Sequence, residues 1–169
     1  MKTLAVAIAS CSLILFACDK DNDDNDINNT DRNFTMMAQM SNFAEIDAGS
    51  LASAKAQNEG IRMFGQHMVT EHTQAKTELM SLAQGLSLNA PDSLDAEHVA
   101  LKAQLMAASG RMFDSIYIHA QVRDHQKTIA LFEDQVDDGE NDRLQDYARA
   151  KLPHLREHLA KADSLAKNF

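Results

Sequence analysis

Tryptophan is absent from this sequence, and tyrosine, proline, glycine and cysteine are scarce. The 169 residues include two tyrosines, two prolines, six glycines and two cysteines. Both cysteines, Cys11 and Cys18, lie in the first 18 residues, and no disulfide is expected. No stretch alternates β-branched with polar residues as a half-buried strand would. The formal charge is −9 at pH 7. Because phosphate binding needs a basic face and none is found, nucleic acid is not expected as a partner.

The sequence is rich in residues that favour helices. Alanine, leucine, methionine, glutamine, glutamate and lysine recur throughout, and all six are good helix formers. With 44% apolar residues, the chain suits one domain with a substantial core once its first few dozen residues are set aside. The composition therefore predicts an all-α domain.

The N-terminus resembles that of a bacterial lipoprotein. Residues 1–17, MKTLAVAIASCSLILFA, contain one lysine followed by an apolar run. The run is shorter than the roughly 20 residues that span a membrane, and this pattern is typical of a signal peptide. The run ends in Leu15, Phe16 and Ala17 before Cys18, which is similar to a lipobox. The resemblance implies that the signal is cut before Cys18 and that the Cys18 sulfur carries diacylglycerol. The alternative is an ordinary secretory signal that is cut nearby.

A polar tether is predicted between this anchor and the domain. Residues 19–33 read DKDNDDNDINNTDRN, which is acidic, rich in asparagine and almost without side chains to bury. We expect residues 18–32 to be the lipidated cysteine and a disordered tether that holds the protein to a membrane of the cell envelope. The expected location is the outer membrane, on its periplasmic side or at the cell surface. An acidic run resembles the export signal of surface lipoproteins in some Gram-negative groups, whereas an Asp beside the lipidated Cys resembles a retention signal for the inner membrane in others.

Helical periodicity predicts four long helices and one short one in residues 33–169. Pro153 is predicted to kink or restart the last helix, because proline lacks a backbone donor and clashes with the preceding turn. Four long helices joined mostly by short turns predict an up-down four-helix bundle, with the short helix in the connection before the third long helix. The long helices are expected at residues 33–57, 61–86, 111–136 and 141–167, and the short one at 93–109.

Each long helix carries a candidate metal ligand near its middle. His72 and His125 each replace an apolar residue in the inward stripe of their helix. Helices of equal length that pack side by side align at their midpoints, so one layer of the core can receive a side chain from all four. Imidazole and carboxylate together suit a single transition-metal ion, namely zinc, iron or copper. The predicted ligands are Glu45, His72, His125 and His158.

Asp114 and Tyr117 lie on the same helix as His125 and are predicted to orient the imidazole rings by hydrogen bonds. Methionines of the first helix, such as Met37 and Met40, add thioethers that bind cuprous ions, although methionine at helical spacing is more often core filler. The alternative to a metal site is a buried hydrogen-bond network in which these polar side chains satisfy one another.

Four stretches together resemble a bacterial family called domain of unknown function 4142, whose ferritin-like members are often labelled as predicted outer-membrane proteins. They are FAEIDAGSLASAKA, FGQHMVTEHTQAKTEL, GRMFDSIYIHAQVRDHQKTIALFE and ARAKLPHLREHLAKA. The resemblance covers about residues 33–166 and implies an exported ferritin-like four-helix bundle with no assigned activity. The family pattern falls on Glu45, His72, Asp114, Tyr117, His125 and His158.

A di-iron centre is not expected in this bundle. Ferritin-like di-iron sites need Glu-x-x-His on two helices, and the residues three positions before the core histidines are Val69, Val122 and Leu155. The predicted function is a lipid-anchored extracytoplasmic bundle that binds a metal ion and is not a catalyst. One alternative is a structural or protein-interaction module of the envelope, with an unknown protein partner. The other is a mononuclear metalloenzyme that uses the four predicted ligands, which needs an open coordination position and a cleft.

Overall fold

The structure, a computed structural model, describes residues 26–169, which form five helices and no strand. The predicted signal peptide, Cys18 and most of the predicted tether lie outside the described residues. Within residues 26–169, no helix combines the length and the apolar character needed to cross a membrane. The all-α prediction is confirmed. The helices are α1 (Asn29–Lys55), α2 (Glu59–Gly85), α3 (Ala96–Ala107), α4 (Gly110–Asp138) and α5 (Asp142–Ala166).

The four long helices form a bundle in which neighbouring helices are antiparallel. α1 packs along α2 and α4 packs along α5, while α1 with α4 and α2 with α5 close the ring. The end of α1 lies beside the start of α4, because the Asp114 carboxylate accepts from the backbone amides of Gln57 and Asn58. α3 ends nearby, where Lys55 donates to the Leu105 carbonyl. α3 therefore returns the chain along the bundle before α4 starts, which is the single long crossover of ferritin-like folds.

Two glycines allow α1 and α2 to pack closely. A Cβ atom on Gly49 would lie 2.8 Å from the Gly65 carbonyl oxygen, and a Cβ on Gly65 would lie 2.7 Å from the Ala52 Cβ. Real side chains do not tolerate such distances, so only glycine fits at this crossing. Each glycine costs its helix about 1 kcal/mol relative to alanine, and the close packing of the two helices offsets that cost.

α1 begins four residues before its predicted start, so residues 29–32 belong to the bundle and not to the tether. Asn28 caps the helix: its side-chain oxygen accepts from the Asp31 amide, and Asp31 accepts in return from the Asn28 amide, both at 2.9 Å. Asp31 is fully buried, and Gln135 of α4 donates to it at 2.6 Å. The start of α1 therefore depends on a tertiary contact as well as on a local cap.

The last helix does not restart at Pro153, because α5 is continuous through this residue, and the predicted kink stays a prediction. Proline removes the donor that would bond the carbonyl four residues earlier, which belongs to Arg149. Pro153 and Arg149 are both exposed. Water can reach that carbonyl, so the helix loses one hydrogen bond without burying an unpaired acceptor.

The core has two apolar clusters with a polar layer between them. One cluster, near the α1–α2 turn, includes Phe64, Met68 and Phe113. The other, near the α4–α5 turn, includes Phe34, Leu79, Phe132, Leu144 and Leu155. The middle of each long helix lies between these clusters and carries polar residues. Because the apolar clusters exclude water from both sides, the polar groups of the middle layer must satisfy one another or bind something else.

Candidate metal centre

Three histidines meet in the middle layer of the bundle. His72 comes from α2, His125 from α4 and His158 from α5, and all three are buried. Their ring centroids are 5.4 to 5.9 Å apart. One ring nitrogen of each histidine lies within 4.8 Å of a ring nitrogen of the other two. We call these three residues the histidine cluster.

The hydrogen bond of His125 determines which of its nitrogens carries the proton. Its Nδ1 lies 2.9 Å from the backbone carbonyl oxygen of Gln121. A carbonyl only accepts, so the proton lies on Nδ1 and the lone pair lies on Nε2. This Nε2 points into the cluster and lies 3.4 Å from Nδ1 of His158.

His158 is oriented in the same way by an acidic side chain. Its Nε2 lies 3.0 Å from a carboxylate oxygen of Glu71, which accepts the proton of that nitrogen. The Nδ1 atom of His158 therefore carries a lone pair and faces the lone pair of His125 across 3.4 Å. With these tautomers, neither of the two nitrogens donates to the other.

His72 supplies the third inward lone pair. Its Nδ1 lies 2.9 Å from the side-chain oxygen of Asn42, so we assign the proton to this nitrogen. Its Nε2 is buried and has no hydrogen-bond partner among residues 26–169. An unpaired buried acceptor costs about 1–3 kcal/mol. Three nitrogen lone pairs therefore converge, and each outer nitrogen already donates to another acceptor.

The surroundings keep the three imidazoles neutral. Burial lowers the pKa of His158 to about 3, and the neighbouring His125 contributes to this effect. Burial likewise lowers the pKa of His72 well below its usual value, and His125 and His158 add to the shift. Burial also lowers the pKa of His125, although its bond to the Gln121 carbonyl opposes the change. At neutral pH all three rings are in the uncharged form that binds metals.

The predicted ligand Glu45 lies beside the cluster and outside it. Its carboxyl accepts from the Gln121 side chain at 2.7 Å and lies 3.6 Å from Nδ1 of His125, the nitrogen that points away from the cluster. Burial raises the pKa of Glu45 to about 8, and the Gln121 bond offsets this only in part. The α1 residue that reaches the cluster is Asn42, one helical turn before Glu45.

The two residues predicted to orient the rings do not do so. Asp114 bonds the backbone of the α1–α2 turn, at the end of the bundle. The Tyr117 hydroxyl is buried and has no hydrogen-bond partner among the described residues, while its ring packs against Phe64 and Phe113. Burial raises the pKa of Tyr117, and the nearby Glu45 adds to the shift. The acceptors that orient the rings are instead the Asn42 side chain, the Gln121 carbonyl and Glu71.

In the structure Glu71 points to α5 and contacts three imidazoles, those of His67, His154 and His158. The signal in the sequence was the i, i+4 spacing of His67 with Glu71 and of His154 with His158, which places each pair on one helix face. A pocket of about 130 Å³ lies here, lined by residues that include Glu71, His72 and His158.

The residues of this layer do not fit the di-iron site of ferritin-like proteins. That site takes carboxylates from all four helices and histidines from two of them. Here the acidic side chains that contact the cluster are Glu45 and Glu71, from α1 and α2, whereas α4 and α5 contribute His125 and His158. Three imidazoles from three helices instead suit one mononuclear ion.

The fold and this layer define an all-α, ferritin-like bundle with a histidine-rich core. The family model described as domain of unknown function (DUF4142) matches residues 17–165, so the chain belongs to this family, as its sequence motifs predicted. The crystal structure of a DUF305 fragment from Deinococcus radiodurans has a similar fold, with a TM-score of 0.74 and 11% identity over 85% of this chain and 99% of that chain. At this identity the similarity concerns the fold alone. No curated protein matches the chain.

Proposed function

We propose that this protein binds one transition-metal ion through Nε2 of His72, Nε2 of His125 and Nδ1 of His158. The observation that supports the proposal is the convergence of three buried lone pairs, each opposite a nitrogen whose proton is donated elsewhere. A purely structural network would place a donor between two of these nitrogens. Instead the groups that face one another are acceptors, which a cation joins.

The distances also suit a single ion. Two nitrogens that each lie 2.0–2.1 Å from a tetrahedral ion are about 3.4 Å apart. His125 Nε2 and His158 Nδ1 are 3.4 Å apart without further movement. The His72 nitrogen lies within 4.8 Å of the others and must approach by at most about 1.4 Å to reach the same geometry.

The acceptors around the cluster prepare the rings for the ion. Asn42, Glu71 and the Gln121 carbonyl each take the outer proton of one ring, which selects the tautomer and raises the basicity of the inner nitrogen. Zn²⁺ fits three neutral imidazoles with a fourth position for water, and copper or iron are the other ions that imidazole suits. The water in the fourth position comes from the pocket between α2 and α5, which His72 and His158 line.

We propose further that the protein is a lipoprotein of the outer membrane, held by diacylglycerol on Cys18. The support is the sequence: an apolar segment over residues 1–17 that ends in a lipobox-like Leu15-Phe16-Ala17-Cys18. Each buried methylene of an acyl chain contributes about 0.8 kcal/mol to attachment. Cys18→Ser should therefore move the protein from the membrane fraction to the soluble fraction. Equal fractionation of the variant and the wild type would disprove the anchor.

Metal binding is tested on the full-length chain, purified in detergent and stripped of metal. We expect one Zn²⁺ or Co²⁺ per chain, and a rise in unfolding free energy of about 2.7 kcal/mol when free ion is 100 times its dissociation constant. His72→Gln should abolish both effects, because it replaces the inward imidazole nitrogen with an amide, which suits these ions poorly, and keeps a polar side chain of similar length.

The matched control is His119→Gln, which changes an exposed histidine of α4 whose ring bonds the Ser115 carbonyl of the same helix. This variant should bind the ion as the wild type does. If wild type and His72→Gln bind equally, or if neither gains stability from the ion, the cluster is a structural network and the proposal is wrong.

A further inference from the structure

We infer that His67, Glu71 and His154 form a second cation site, the outer site, from which the ion passes to the histidine cluster. The outer site lies between α2 and α5 and is separate from the three inward nitrogens already described. The inference rests on the proposed function, because it assigns a loading route to that same buried cluster.

The outer site is centred on the Glu71 carboxylate. One of its oxygens lies 3.3 Å from Nε2 of His67, and the other lies 3.0 Å from Nε2 of His158 and 3.7 Å from Nδ1 of His154. His67 and Glu71 lie on one face of α2 at i, i+4 spacing, and His154 lies on α5 one turn before His158. Two imidazoles and a carboxylate form a donor set for zinc and similar divalent ions. His67, Glu71 and His158 each offer a ligand atom within 4.8 Å of the others, so the Glu71 carboxylate lies within reach of imidazoles from both helices.

Exposure falls steadily from the outer site to the cluster. The side chains of His154, His67 and Glu71 are 59%, 49% and 34% exposed, and that of His158 is 4% exposed. A hydrated ion therefore meets His67 and His154 first and exchanges its water for their nitrogens before it reaches the interior. At the two ends of the bundle the apolar clusters block a comparable route.

His158 connects the two sites. Its Nε2 faces Glu71 in the outer site, and its Nδ1 faces His125 in the cluster. The pocket of about 130 Å³ is lined by side chains of both sites, among them Glu71, His154 and His72. An ion held by Glu71 and His154 therefore lies on the wall of the pocket that leads to the unpaired Nε2 of His72.

The test measures how fast Co²⁺ loads the full-length metal-free chain, by stopped-flow absorption of the bound ion. In the double variant His67→Gln, His154→Gln, loading should slow by about tenfold or more, because the two imidazoles that capture the ion at the entrance are lost. Release should slow by the same factor, since both directions use one route. The dissociation constant should then stay unchanged. His119→Gln should load at the wild-type rate, and thermal unfolding should confirm that both variants fold, since the changed side chains are exposed.

Each result distinguishes the two proposals. If wild type loads Co²⁺ and the double variant loads equally fast, the outer site is wrong and the buried metal site stands. If the double variant instead loses affinity through faster release, His67 and His154 hold the ion in the final complex, which also overturns the loading route. If wild type binds no Co²⁺, the buried metal site itself is wrong and the loading route is wrong with it.

Discussion

Glu45 is the residue whose substitution tests the described core most directly. Burial raises its pKa from 4.5 to about 8, so the folded protein keeps this carboxyl protonated at neutral pH while the unfolded chain ionises it. A raised folded pKa contributes stability that is fully present below pH 4.5 and is lost as pH rises through 8. Glu45→Gln removes the titrating group and keeps the shape of the protonated side chain, including its acceptor for Gln121.

The size of the effect follows from the two pKa values. Between pH 5 and pH 9, a group with pKa 4.5 unfolded and about 8 folded lowers the free energy of unfolding by roughly 3–4 kcal/mol. The buried histidines act in the opposite direction, since their lowered pKa values reduce stability as pH falls below about 6.5. They are present in both proteins, so their contribution cancels in the difference between wild type and Glu45→Gln.

The assay is urea unfolding of both metal-free proteins, followed by circular dichroism at pH 5, 7 and 9. The free energy of unfolding of Glu45→Gln should rise relative to that of wild type as pH rises, with most of this increase reached by pH 9. Glu157→Gln, at an exposed position of α5, is the matched control. Its free energy of unfolding should match that of wild type at every pH. If the free energies of unfolding of wild type and Glu45→Gln change in parallel from pH 5 to 9, Glu45 is not a buried neutral acid. Its placement beside His125 is then wrong.

Two further substitutions separate stability from metal binding. His125→Ala should destabilise the metal-free fold by about 2–4 kcal/mol in urea unfolding, because it opens a cavity in the core and removes the side-chain hydrogen bond to the Gln121 carbonyl. His119→Ala should stay within about 0.5 kcal/mol of wild type. A neutral effect of His125→Ala would contradict the described packing. Asp114→Ala should cost about 2–4 kcal/mol, since two backbone amides lose their acceptor, and it should leave the Co²⁺ dissociation constant unchanged. A weaker Co²⁺ affinity in Asp114→Ala would show that this carboxylate acts at the cluster after all.

Local patterns in the sequence determined where the helices form and how far along its helix each polar side chain lies. The 3.6-residue repeat placed His72 and His125 on buried faces. Similar helix lengths placed His158 at the same level, because packed helices of equal length align at their midpoints. These inferences need only the geometry of single helices, and each helix has that geometry before it packs.

The rotation of each helix about its axis, and so the partner of each polar side chain, was decided only by the tertiary structure. Glu45 and Asn42 differ by one turn, and the way α1 packs between α2 and α4 directs Asn42 to His72 and Glu45 to the back of His125. The burial of Asp31 depends in the same way on Gln135, which lies 104 residues further along the chain. Such pairings arise from contacts between helices that are distant in sequence, and helical periodicity carries no information about them.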